Sequence, residues 1–113
     1  MAPYQRRGSD TEWGQHLYVL HAGAGPSGLV KIGRSWSPQQ RCSAVQRSCP
    51  MLAQLELRAV FPDMGFAETL VMTIMERRHP RIGRSEWFVC SDVDALEAVA
   101  AAVRAMREIH AGV

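Results

Sequence analysis

The chain has 113 residues, enough for one hydrophobic core and too few for two. Its 47% hydrophobic and 21% charged residues are globular usage, and no apolar run approaches the roughly 20 residues of a membrane helix, so a membrane-bound protein is excluded and a cytoplasmic one expected. A formal net charge of +2 does not by itself announce a nucleic-acid binder, but the 13 basic residues contain a single lysine, Lys31, among arginines.

Residues 1–14 are polar and aperiodic, with Pro3 and Gly8, and read as a flexible leader without the apolar segment of a secretion signal. One domain is expected over residues 15–113. The run His16–Ala22 is rich in β-forming residues and stops at a cluster of turn formers, residues 23–28. Leu29–Gly33 resumes the β pattern, so the two runs should pair as a hairpin across a loop too long for a two-residue turn.

Ser37-Pro38 starts a helix, with the serine hydroxyl placed to cap and proline at the first helical position, and the helix runs to about Arg47. A third strand is expected between Leu52 and Phe61, although its alternation is imperfect. After the turn Pro62-Asp63-Met64-Gly65, an amphipathic helix should run from Phe66 to His79, ahead of Pro80, with Glu68 in its first turn. Arg81–Ser85 is a basic loop, and Glu86–Val89 a short extended segment packing Trp87 and Phe88 onto the core. Ser91 opens a last helix in which Val93, Leu96, Val99, Val103, Met106 and Ile109 follow helical spacing.

Cys42, Cys49 and Cys90 are odd in number and without CxxC spacing, so free thiols are expected. The histidines are scattered and make no ligand pair. The chemistry lies elsewhere. The hairpin offers Tyr18 and Lys31, the next helix Arg41, and a later helix Glu68. A phenol positions or activates water, a cation neutralises a scissile phosphate, and a carboxylate holds a divalent metal that polarises the same phosphate. Taken singly, each has a plainer role: a core tyrosine with its hydroxyl at the rim, a solvated arginine, a carboxylate favoured by the helix dipole.

In order and spacing these residues resemble the GIY-YIG endonuclease superfamily. His16-Leu17-Tyr18 stands where GIY would be, Lys31-Ile32-Gly33 where YIG would be, and Arg41 follows on the helix; Glu68 falls where the metal-holding glutamate does. Lys31-Ile32-Gly33-Arg34-Ser35, then Ala67-Glu68 and Glu86-Trp87-Phe88, is similar to the KIG branch of phage-type DNA-binding domains and their relatives. The sequence departs from active relatives at Lys31, in place of the second motif tyrosine, and at Val45, in place of a His or Tyr one turn past Arg41.

The resemblance implies an α+β fold, with a small three-stranded antiparallel sheet flanked by helices and an extra C-terminal helix. It also implies metal-dependent hydrolysis of nucleic acid, DNA being the expected form. Tyr18, Lys31, Arg41 and Glu68 would be catalytic, and Glu68 would hold Mg²⁺ or Mn²⁺. Lys31 either takes the proton of the attacking water or sits charged on a nonbridging oxygen, and the second role is favoured. Arg34, Trp36, Arg77, Arg78, Arg81 and Arg84 would contact the nucleic acid, the later arginines tracking the backbone and Trp36 stacking on a base. The alternatives are a non-catalytic DNA-binding module of the same fold and a protein-interaction or inhibitor domain reusing the cationic surface. Ala98, Ala100 and Ala101 give the last helix a small-residue surface that either packs internally or pairs with a second copy as a homodimer.

Overall fold

A computed structural model describes residues 15–112, so the leader expected over residues 1–14 lies outside the described residues. The expected hairpin forms between β1 (His16–Ala22) and β2 (Leu29–Ser35), which pair antiparallel along their whole length. Their connection contains one 3-10 turn, Gly25–Ser27, and places Gly23 and Gly25 at φ 87° and 63°, where a side chain would be strained. The register sets Tyr18 opposite Gly33 and Leu20 opposite Lys31, which puts Tyr18 and Lys31 on one face of the sheet.

Helix α1 (Pro38–Ser48) starts where Ser37-Pro38 predicts, but the Ser37 hydroxyl makes no capping bond. The Ser37 N–H instead donates to Ser35 Oγ at 3.0 Å, so the serine at the end of β2 shapes the turn into the helix. The chain then returns as β3 (Glu56–Phe61), which pairs with the free side of β1. A bulge explains the imperfect alternation of this segment: Leu57 faces Leu20 and Ala59 faces Val19, a two-residue step against one that leaves Arg58 as the extra residue. The stretch before β3 is tied to α1 by the Leu55 N–H, which donates to Gln46 Oε1.

The sheet has four strands, not three, in the order β3-β1-β2-β4. Strand β4 (Trp87–Val89) pairs with β2 and sets Trp87 opposite Lys31. Three residues are too few to show a period. Tertiary contacts make this strand: the Val89 N–H donates to the Pro80 carbonyl at 2.8 Å and the Ile82 N–H to the Trp87 carbonyl at 2.9 Å.

Helix α2 (Glu68–Arg78) begins two residues later than its apolar pattern suggests, because a 3-10 turn takes Gly65–Ala67. Helix α3 (Asp92–Ala111) is capped as expected, the Asp94 N–H donating to Ser91 Oγ at 3.1 Å. Together, α2 and α3 cover one face of the sheet, where Leu17, Val19, Val30 and Ile32 meet Val71, Met75, Val99 and Val103. Helix α1 covers part of the other, where Tyr18, Leu20 and Ala22 meet Cys42 and Leu55. Each fully buried aliphatic side chain in these layers stabilises the fold by about 1.5–3 kcal/mol. Ala98 is buried in the first layer, so the alanine surface of α3 is used at least in part within the chain, whereas Ala101 is exposed. No helix among the described residues is long and apolar enough to cross a membrane.

Candidate functional site

Strands β1 and β2 place Tyr18 and Lys31 side by side on the face that α1 partly covers. The first turn of α1 brings Arg41 over them, and the 3-10 turn before α2 delivers Glu68 at that helix's first residue. These four side chains, with Gln15, Arg34, Val45 and Glu86, line one open and mainly polar cavity of about 440 Å³. Val45 lies one turn beyond Arg41 on the same helix face, which is the register expected from the sequence.

Gly33 is what lets Tyr18 lie there. The tyrosine ring packs against the Gly33 backbone so closely that a Cβ at residue 33 would stand 2.5 Å from Tyr18 Cζ and nearer still to the hydroxyl. The ring is 2% exposed, and its pKa is pushed up to about 12, first by burial and then by the negative charge of Glu86, with Arg41 opposing. Tyr18 is therefore a neutral phenol near pH 7. It can orient a water by hydrogen bonding but is poorly suited to act as a phenolate base.

Lys31 is held by Glu86. The Nζ to Oε1 distance is 2.5 Å, with the lysine side chain 15% exposed and the glutamate 44%. Glu86 also lines the same cavity as Glu68, so two carboxyl groups face one opening. The pKa of Glu68 is raised, mainly by burial and then by the charge of Glu86, while Arg34 and Lys31 act in the opposite direction. Arg34 Nε lies 3.5 Å from Glu68 Oε1. The result is two ion pairs, Arg34 with Glu68 and Lys31 with Glu86, whose carboxyl groups both face the cavity with Arg41 alongside.

The carboxyl oxygens of Glu68 and Glu86 are the donors here that could hold a hard divalent cation. Among the described residues no group of three or more His, Cys, Asp and Glu side chains could hold a metal ion. A two-carboxylate site suits an ion that keeps waters and takes substrate oxygens as further ligands.

The remaining expected contacts divide. Arg34 lines the cavity; Trp36 is exposed just beyond β2 and outside the cavity lining. Arg77 and Arg78 are exposed on the last turn of α2, and Arg84 is exposed in the loop before Glu86. Arg81 builds that loop: its Nε donates to the Ser85 carbonyl at 2.5 Å, its Nη1 lies 3.0 Å from Glu76 Oε1, and its guanidinium stands over the Phe88 ring. Sequence reasoning assigned no role to Glu86 or Gln15. The signal for Glu86 was its place at the head of Glu86-Trp87-Phe88, one residue before the partner of Lys31.

A search of curated proteins and a search of solved structures each give no significant match. A family comparison does match. Residues 15–107, which include every cavity residue and all four strands, match the T5orf172 domain, and the chain belongs to that family.

Proposed function

We propose that this chain is a metal-dependent endonuclease of the GIY-YIG type, with DNA as its substrate. The observation that supports this most is the convergence of Tyr18, Lys31, Arg41 and Glu68 in one cavity from four separate elements. Each residue alone has a plainer explanation, but four plainer explanations do not account for a shared opening.

In this reading Lys31, Arg34 and Arg41 hold the scissile phosphate and offset the charge that builds on its oxygens. The neutral Tyr18 hydroxyl orients the attacking water. Glu68 holds Mg²⁺ or Mn²⁺, which when bound would polarise the phosphate and stabilise the leaving oxygen. The donor chemistry fits such an ion, since Glu68 supplies hard oxygens at the edge of an open, wet cavity. Lys31 acts as a cation on phosphate, so Lys31→Arg should keep nucleic-acid binding and part of the cleavage, and complete loss of cleavage with binding intact would return the lysine to the role of base.

The test is cleavage of plasmid and of single-stranded oligonucleotide with Mg²⁺ or Mn²⁺, comparing wild type with Glu68→Ala and Arg41→Ala over a salt series. Cutting by wild type and by neither variant supports the reading. A second reading, a DNA-binding module without turnover, draws on Val45 and on the existing pairing of Lys31 and Arg34 with carboxylates. Salt-sensitive binding without cutting would select it. Absence of nucleic-acid binding at low salt would leave a protein-interaction domain.

A further inference from the structure

Glu86 faces two competing demands. It neutralises Lys31, and it shares the cavity with Glu68, the carboxylate at the start of α2. A phosphate reaching Lys31 competes with Glu86 for the ammonium, and a cation reaching Glu68 competes with Lys31 for the Glu86 carboxylate. Resting on the nuclease reading above, we propose that Glu86 couples the two ligands: it holds Lys31 in the empty site, yields it to phosphate, and then joins Glu68 on the divalent cation.

The position of Glu86 suits an exchange of partners over a distance of one side chain. Its backbone carbonyl is fixed by the Ile32 N–H at 3.2 Å, one residue from Lys31. The next residue, Trp87, is set opposite Lys31 by the sheet, and the Trp87 N–H donates to Ser85 Oγ. The backbone is therefore anchored on both sides of Glu86, while its side chain is 44% exposed to the cavity and can swing. Binding of one ligand removes the competitor of the other, and linkage makes the effect mutual: cation tightens phosphate binding by the factor by which phosphate tightens cation binding.

The consequence has an unusual sign. Removing the charge of Glu86 frees Lys31, so metal-free affinity for nucleic acid should rise rather than fall, while the gain from adding cation should shrink. The experiment is fluorescence anisotropy of a labelled DNA duplex with the full chain, in EDTA and in Ca²⁺. It compares wild type, Glu86→Gln and the charge-matched Glu56→Gln, Glu56 being an exposed residue at the start of β3.

For wild type, Ca²⁺ should tighten binding by about tenfold, within the usual range of coupling between sites. For Glu86→Gln, binding in EDTA should be several-fold tighter than wild type, and more so than for Glu56→Gln, with little further gain from Ca²⁺. A full wild-type response to Ca²⁺ in Glu86→Gln, or a metal-free gain no larger than that of Glu56→Gln, overturns the coupling while leaving the nuclease reading in place. A wild-type chain that binds the duplex in neither condition overturns both.

A reciprocal measurement does not depend on the behaviour of Glu86→Gln. Mn²⁺ titrated into Lys31→Met without nucleic acid and followed by electron paramagnetic resonance should bind several-fold tighter than to wild type, and tighter than to Arg41→Met. Equal Mn²⁺ affinity in the two variants also overturns the coupling.

Discussion

Gly33→Ala tests the geometry on which the site depends. The added Cβ would stand 2.5 Å from Tyr18 Cζ and 3.0 Å from Cε2, well inside ordinary contact. The neighbours are poorly placed to give way: Tyr18 is 2% exposed among Leu20, Cys42 and Leu55, and β1 and β2 are paired directly through Tyr18 and Gly33. Overpacking of this kind costs about 1–3 kcal/mol, so a loss near 2 kcal/mol is expected in urea unfolding, a shift of about thirtyfold in the folding equilibrium. The Tyr18 hydroxyl moves with the ring, so cleavage should fall in Gly33→Ala under conditions where the variant stays folded. A double-mutant cycle isolates the cause. In a Tyr18→Ala background the ring is gone, and Gly33→Ala should then be neutral or stabilise by about 0.5 kcal/mol, because alanine loses less backbone freedom than glycine. A coupling energy near 2 kcal/mol is the expected result. If Gly33→Ala costs the same with and without the ring, the close approach of Tyr18 is not why residue 33 is glycine.

Four further outcomes follow. Because folding raises the pKa of Tyr18 from 10.0 to about 12, the buried phenol contributes stability that is fully present below pH 10 and is lost as pH rises through about 12. The phenolate absorbance of wild type minus that of Tyr18→Phe should accordingly have its midpoint near 12, and a midpoint near 10 would refute the burial argument. Arg81→Ala should destabilise by about 1–2 kcal/mol through its lost bond to Ser85 and its contacts with Glu76 and Phe88. Arg41→Ala should change stability by no more than about 0.5 kcal/mol and lower the salt dependence of DNA binding by about one ion, which separates the two arginines in a pair of titrations. His21 is buried with neither ring nitrogen hydrogen-bonded, so His21→Leu should stabilise by about 1 kcal/mol in urea unfolding, and a loss of stability would show that the imidazole has a partner.

Most of the cavity was legible in the sequence because its residues sit at positions fixed by local signals. Alternation in the two runs around the glycine-rich loop sets Tyr18 and Lys31, Ser37-Pro38 sets the phase of Arg41, and the turn at residues 62–65 sets the start of the helix that carries Glu68. Each signal acts over a few residues, and together they place four side chains without knowledge of the packing. Glu86 and β4 were not legible in the same way. The strand exists because β2 has an open edge and because Arg81 and Ser85 fold the preceding loop back on it, and both conditions are tertiary. The same physics reassigns Arg81: as one arginine in a basic run it reads as a phosphate contact, but its donors are spent on Ser85, Arg84 and Glu76. A charge's role is decided by its partners, and the partners of Arg81 and Glu86 include residues brought together only when the sheet closes. The cavity's electrostatics therefore belong to the fold more than to the motif. Two carboxylates lie among three cations, so on the nuclease reading proposed above the site's affinity for phosphate would depend on which of those charges are already paired, and Glu86 is the residue paired with Lys31.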